Sequence, residues 1–352
     1  MGTEPTGDPA VLVYGAGAVG CLLGGLLSAV DVDVTLLGRP DLVRAVHDGG
    51  LQIHRPGGDL AASPAAISSL DALTRPPDLV LLTTKAYAVA AALDQLDTLA
   101  RGGATIVVLQ NGVGTEETLL ARPAVQRLAS GAVTLSVGTD APGRVRQETT
   151  GGGVTLAPVR DGSAIGPLVA ALTRVGILAP VVDDYRALKW SKLLLNILGN
   201  AVAAILATPP VELMADPRLF QLERGAFLEA TRVMRAAGVR TIGLPGFDVP
   251  LLAAAMRLPP GMGRRLLAGR VAGGRGAKRP SLWLDVERGR APTEVGWLNG
   301  AVERAGAAHG IPTPTNALLA RLVDEVAADP ARRNELAGHP ERLLELARQS
   351  AG

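Results

Sequence analysis

A single cysteine, Cys21, in 352 residues leaves no disulfide framework and no cysteine-based metal site. A reducing compartment, the cytoplasm, is the expectation. Histidine is also scarce: His47, His54, His309 and His339 are scattered without the spacing of metal ligands, so no metal is expected. Nor does one sign of charge dominate. With 35 basic against 33 acidic residues the net charge is +2, which argues against a charged tail and a dedicated nucleic-acid binder. A small anionic ligand needs only local positive charge. Met1–Pro9 carries Glu4 and Asp8 and no basic run ahead of an apolar stretch, so no signal peptide is read and residues 1–10 are expected to form a short disordered lead. The most apolar stretch, residues 193–207, is interrupted by Asn196 and Asn200 and falls short of the roughly 18–20 residues of a spanning helix. No membrane partner is expected.

The length points to two domains, each able to bury an interior, with a cleft implied. In the first half, Val11–Tyr14, Val34–Leu37, Leu79–Thr83 and Thr105–Leu109 are short, nearly continuous apolar runs, and helical patterns follow at Val19–Val30 and Tyr87–Ala100. Apolar runs separated by helices indicate strands buried on both faces and hence a parallel sheet. The expected fold is α/β, a doubly wound Rossmann-type domain. Residues 128–159 turn β-rich between Gly and Pro, suggesting antiparallel strands before a helix near 163–175. After Val181-Val182 the pattern is helical, so the expected domains are 11–183, binding the dinucleotide, and 184–352, all-α. Arg257, Arg264, Arg265, Arg270, Arg275, Lys278 and Arg279 stand among glycines at 257–279. They read as a solvated helix pair with a flexible link in preference to a docking patch for an acidic partner.

Gly15-Ala16-Gly17-Ala18-Val19-Gly20 follows the first strand and opens the first helix. Gly15 suits the tight turn, Gly17 lets backbone approach a pyrophosphate, and Gly20 permits close packing of helix on strand, with the anion at the helix N-terminus. A Gly-rich turn without a ligand is the bland alternative; the position at the first strand-to-helix junction favours the dinucleotide. The second strand ends in Gly38-Arg39, where an NAD enzyme would usually place an acid for the ribose hydroxyls. Arginine there suits the 2′-phosphate of NADP, although Asp41 nearby weakens the argument. Lys85 and Asn111 end two further strands at the carboxyl edge of the sheet, toward the nicotinamide end, unless they are only loop caps.

Residues 184–207 read as one helix, in which Lys192, Asn196 and Asn200 recur every four residues and share a face. Its other faces are apolar, so this polar stripe is not merely a solvated face. A buried lysine costs several kcal/mol unless paired, and desolvation lowers its pKa toward the range of a general acid. An interdomain hydrogen-bond network without a ligand would show the same spacing.

These segments occur in order with Thr84-Lys85, Gln110-Asn111-Gly112, Trp190-x-Lys192, Ser281, Glu287-Arg-Gly-Arg290, Thr293-Glu294, Asn299-Gly300 and His309-Gly-Ile-Pro-Thr-Pro-Thr-Asn316. The set, over residues 11–325, resembles the ketopantoate reductase family. The resemblance implies an oxidoreductase of pantothenate biosynthesis in which NADPH delivers hydride to the C2 carbonyl of 2-dehydropantoate. It further implies that Lys192 is the catalytic general acid and that Glu294 orients substrate and lysine. Asn196, Asn200 and Ser281 match substrate-binding positions; Asn111 and Lys85 match residues near the cofactor and the reacting centre. Two departures are visible: Gly296 stands where an acid often follows Glu294, and Ala291 reads as a one-residue insertion. They bear on the substrate more than on the chemistry.

Two other readings compete. A relative of the same class could reduce a different 2-oxo acid, ketone or imine, or a dinucleotide sensor could have lost catalysis. Retention of Lys192, Asn196, Ser281 and Glu294 argues against the sensor. The apolar helical half offers a face for a homodimer, and no feature selects between monomer and dimer.

Overall fold

The computed structural model describes residues 8–161, 165–264 and 279–350. The chain forms two compact units and passes between them more than once. The first holds the described residues up to Gln110, Thr115–Lys189 and Leu244–Phe247; the second holds Asn111–Gly114, Trp190–Gly243 and the described residues from Asp248 onward.

In the first unit the elements run β1 (Val11–Tyr14), α1 (Ala18–Ser28), β2 (Val34–Leu37), α2 (Pro40–Gly49), β3 (Leu51–His54), β4 (Leu60–Ala62), β5 (Ala65–Ile67), β6 (Leu79–Leu82), α3 (Val89–Arg101), β7 (Thr105–Val108), α4 (Thr115–Leu120), β8 (Leu128–Val133), β9 (Val137–Ala141), β10 (Arg144–Gln147), β11 (Val154–Arg160) and α5 (Ile165–Arg174). Helix α6 (Tyr185–Ile197) begins in this unit. Seven strands form one sheet in the order β11-β8-β7-β6-β1-β2-β5. It is parallel except for β11, which runs antiparallel to β8. Every residue of β1, β6 and β7 is buried, as a parallel sheet covered on both faces requires.

A second sheet was not foreseen. Strands β4-β3-β10-β9 form it, so β9 and β10 do not extend the main sheet. It lies on the far side of α1: a Cβ on Gly24 would press on Leu36 and Val13 of the main sheet, and one on Gly25 on Ile53 and Leu51 of the small one. Covered on two sides, α1 buries all of Gly20–Leu27, which is why it is apolar around its circumference. Asp8 and Ala10, which fall within the expected lead, are tied to the fold. Asp8 pairs with Arg174 at 2.7 Å, and the buried Ala10 donates its N–H to Asp78; residues 1–7 of that lead lie outside the described residues.

All named elements of the second unit are helical: the end of α6, then α7 (Ala201–Leu206), α8 (Pro210–Ala215), α9 (Pro217–Ala236), α10 (Val249–Arg257), α11 (Ser281–Glu287), α12 (Asn299–Ala308), α13 (Pro314–Ala328), α14 (Pro330–Leu336) and α15 (Pro340–Ser350), besides a 3₁₀ turn at Glu294–Trp297. The starts are legible. Asp216, Asp248 and Asp329 each accept a backbone N–H of the following first turn, and proline occupies a first-turn position where its missing N–H costs nothing. Of the 257–279 stretch, Arg265, Arg270, Arg275 and Lys278 lie outside the described residues. Among the described residues no helix is long and apolar enough to cross a membrane.

The helix expected over 184–207 is two helices. It stops at Ile197, Gly199 takes a left-handed φ of 60°, and α7 starts at Ala201. The buried carboxylate of Glu223 on α9 accepts the Gly199 N–H at 2.9 Å, satisfying a donor that the break releases.

Candidate active site

In the first unit the glycine loop sits at the carboxyl end of β1, between β6 and β2, where the strand order reverses and ligands of open α/β sheets bind. The amides of Gly15 and Ala16 both donate to Leu37 O, at 3.2 and 2.9 Å, pinning the loop to the end of β2. Gly15 has a φ of +105°, and a Cβ there would lie 2.6 Å from the Thr84 backbone nitrogen. Gly20 would meet Gly15 O at 2.7 Å. Gly17 differs, because nothing lies within 4 Å of its would-be Cβ. The protein's own packing does not demand glycine there, whereas a ligand approaching the backbone would. Helix α1 starts at Ala18 with no side-chain cap and no acid in its first turn, which leaves its positive end for an anion.

Arg39 is exposed at the N-cap of α2, directly beyond β2. The acid thought to compete with it is engaged locally, since Asp41 accepts the Leu42 N–H at 2.9 Å. Lys85 is half-buried where β6 gives way to a short 3₁₀ turn, Ala86–Ala88. Cys21 is a packing residue: its thiol contacts Ala16 O at 3.3 Å, and burial pushes its pKa up to about 12. Because the reactive thiolate needs pH near that value, native protein should resist iodoacetamide at pH 8 on the timescale of hours, as intact mass would show.

The second unit gathers Asn111, Lys192, Asn196, Asn200, Ser281 and Glu294 from three separate stretches of chain. Lys192 and Asn196 stand one turn apart on α6, both half-buried. Asn196 donates its side-chain amide to Asn111 Oδ1 at 3.0 Å. The Asn111–Gly114 turn is in turn held to the Glu294–Trp297 turn: Val113 N–H donates to Trp297 O at 2.9 Å, and Gly112, with φ +92°, lies so close that a Cβ would be 2.6 Å from Trp297 Cβ. Gly112→Ala should therefore displace Asn111 and lower turnover about ten-fold or more, the scale expected of sub-ångström misplacement, with cofactor affinity unchanged in a fluorescence titration.

Glu294, 4% exposed, heads a 3₁₀ turn capped by Thr293, whose hydroxyl accepts Val295 N–H and donates to Asp324. Asn200 does not continue the α6 stripe. It is buried at the N-cap of α7, and its Oδ1 accepts the Leu282 N–H at 3.3 Å, fixing the start of α11 beside the exposed Ser281. Its carbonyl oxygen is thus committed to backbone, leaving the amide NH₂ as its remaining polar group. Asn299 and Asn316 belong to a buried network of the same unit: Asn299 donates to Asn316, which donates to the buried Glu229, and Glu229 also accepts the Thr315 and Asn316 N–H groups at the start of α13.

One cluster escaped the sequence reading. Lys189, three residues before Lys192, is 3% exposed in the first unit. Its ammonium donates to Gln110 O at 2.5 Å and lies 3.2 Å from Glu116, which also accepts the Ser130 hydroxyl at 2.6 Å. The available signal was the three-residue step that sets Lys189 on the Lys192 face.

Comparison with known proteins agrees with this architecture. The family models for ketopantoate reductase PanE/ApbA and for its C-terminal domain match residues 11–161 and 184–327. A 2-dehydropantoate 2-reductase of Caulobacter vibrioides is 31% identical over 317 residues, covering 90% of this chain and 99% of that protein. One from Mesorhizobium japonicum is 29% identical, covering 91% and 98%. The solved PanE/ApbA family ketopantoate reductase of Ralstonia eutropha superposes with a TM-score of 0.77 at 29% identity, covering 92% of this chain and 99% of that one. D-mandelate dehydrogenase with NADH and anilino(oxo)acetate shares the fold at a TM-score of 0.75 and 23% identity. With a Rossmann-type unit, a helical unit and both family domains in sequence, the chain belongs to the ketopantoate reductase PanE/ApbA family, oxidoreductases acting on a CH–OH/C=O couple with NADPH.

Proposed function

We propose that this protein reduces the C2 ketone of 2-dehydropantoate to pantoate in the cytoplasm, as a step of pantothenate biosynthesis, with NADPH as reductant and Lys192 as general acid. The observation that carries the reading is the convergence in one unit of Lys192, Asn196, Asn111 and the Glu294 turn, joined by the Asn196–Asn111 and Val113–Trp297 hydrogen bonds. A bound NADPH supplies hydride to the C2 carbonyl carbon.

The protein's own groups do the rest. The Gly15–Gly20 loop and the uncapped start of α1 receive the pyrophosphate, Gly17 leaving the space that a side chain would fill, and Lys85 stands at the neighbouring strand end. Arg39 meets the 2′-phosphate. The Lys192 ammonium donates a hydrogen bond to the ketone oxygen and surrenders a proton as negative charge builds there. Glu294, buried at the head of its 3₁₀ turn, orients the substrate and the lysine. The Asn196, Asn200 and Ser281 side chains bind the 2-oxo acid's polar groups, and Asn111, held by Asn196, stays at the reacting centre. Residues 11–183 thereby serve the dinucleotide, and 184–352, with Asn111, the substrate.

Arg39→Ala isolates the cofactor part. Loss of a charge-assisted contact of about 1.5–3 kcal/mol should raise the KM for NADPH about 10- to 100-fold, leave kcat unchanged and hardly affect NADH. Equal KM values for NADPH in variant and parent would remove Arg39 from the site. The substrate part is tested by steady-state turnover of 2-dehydropantoate beside other 2-oxo acids: preference for another by ten-fold or more in kcat/KM would keep the chemistry and replace the substrate.

A further inference from the structure

Helix α6 and the Gln110–Gly114 turn each pass from the first unit into the second, the helix between Lys189 and Trp190 and the turn between Gln110 and Asn111. At each passage a side chain of α6 is bonded to the turn. On the first-unit side Lys189 Nζ donates to Gln110 O at 2.5 Å; on the second-unit side Asn196 donates to Asn111 Oδ1 at 3.0 Å. The two bonds involve consecutive residues of the turn and are two helical turns apart on α6. Lys192 stands between them, and steps of three and four residues put all three side chains on one face.

The first bond is not a casual one. The side chains of Lys189 and Glu116 are 4% and 1% exposed, and both charges are matched: the ammonium by Glu116 and Gln110 O, the carboxylate also by the Ser130 hydroxyl, itself fully buried. A buried pair of this kind is a weak source of net stability, because desolvation offsets the attraction, and apolar residues could fill the space as well. Its geometry is specific, however. A protonated lysine whose charge is balanced can hold a single carbonyl oxygen, and here the oxygen belongs to the residue that precedes Asn111.

We propose that Lys189, with its charge balanced by Glu116, is a positioning residue for the reaction. It fixes the register of α6 against the Gln110–Asn111 peptide, so that Lys192, Asn196 and Asn111 meet the reacting carbonyl as one set. Lys189 touches neither substrate nor cofactor in this account and acts through Lys192 and Asn111. The inference rests on the catalytic assignment of Lys192 made above, and its test must separate the two.

The test uses the full-length protein with 2-dehydropantoate and NADPH. Lys189→Met alone leaves the Glu116 carboxylate buried without its cation and should lower both the Tm and kcat. Lys189→Met/Glu116→Gln removes both charges and restores the Tm to within a few degrees, but methionine cannot donate to Gln110 O. The account expects kcat of the double variant to stay about 10- to 100-fold below the parent, the scale of a misplacement on the order of 1 Å, with NADPH affinity unchanged. Recovery of kcat together with the Tm, to within about two-fold of the parent, would show a purely structural pair and overturn the proposal. If the double variant does not fold, Lys189→Gln/Glu116→Gln takes its place. It pairs two amides and shortens the donor, and the same loss of kcat at parental Tm supports the proposal while parental kcat overturns it. Lys192→Ala is measured alongside. Unchanged kcat in that variant would end the catalytic assignment itself, whatever the Lys189 variants do.

Discussion

Lys192→Ala should lower kcat by about 10²- to 10⁴-fold, the usual contribution of a positioned general acid, while NADPH binds as tightly as before. The asymmetry follows from placement: Lys192 belongs to the helical unit, whereas the glycine loop, Arg39 and Lys85 belong to the other. An interaction made only as the alkoxide develops lowers kcat and kcat/KM together when it is removed. Single-turnover kinetics with saturating NADPH measures the loss, and a fluorescence titration checks the affinity. A variant that turns over within ten-fold of the parent would assign proton delivery to another group. A variant that loses NADPH affinity as well would mean that the lysine holds the cofactor rather than the substrate oxygen.

Gly15→Ala should weaken NADPH binding by about 100-fold or more and lower the Tm. A Cβ at this position would stand 2.5 Å from Thr84 Cγ2, 2.6 Å from Thr84 N and 2.9 Å from Thr84 Cα, two of them backbone atoms that cannot step aside. The φ of +105° adds strain of about 1–3 kcal/mol for an L-residue. Gly17→Ala is the informative partner. With nothing within 4 Å of the added methyl, its Tm should match the parent, yet NADPH should bind about ten-fold or more weakly if the pyrophosphate needs that space. Parental affinity in Gly17→Ala would mean that no ligand approaches the backbone there.

The contrast between these two glycines shows what a sequence can and cannot say. Both lie in one motif, and the motif's place after an apolar run was enough to find β1, α1 and the loop. The central strands were legible for the same reason: β1, β6 and β7 are apolar at nearly every position because both faces are covered. The second sheet was not legible. Its β3 and β4 are four and three residues long, and β3 pairs with β10 from far along the chain, a match of register that no local pattern encodes. The break between α6 and α7 was hidden likewise. Residues 193–206 remain apolar enough to read as continuous helix, and the group that stabilises the interruption, Glu223, comes from α9. The break changes the meaning of Asn200, whose spacing put it in the polar stripe and whose actual bond is to the start of α11. Lys189 and Glu116 were missed because a lysine early in a helix usually reads as solvated, and only the tertiary fold brings Glu116 and Gln110 O to it.

Steady-state oxidation of NADPH by the purified protein with 2-dehydropantoate, with NADH and other 2-oxo acids in parallel, tests the account most directly. It predicts turnover that needs 2-dehydropantoate, prefers NADPH to NADH and falls by about 10²-fold or more in Lys192→Ala. Tight NADPH binding with no turnover of 2-dehydropantoate or any other 2-oxo acid would contradict it.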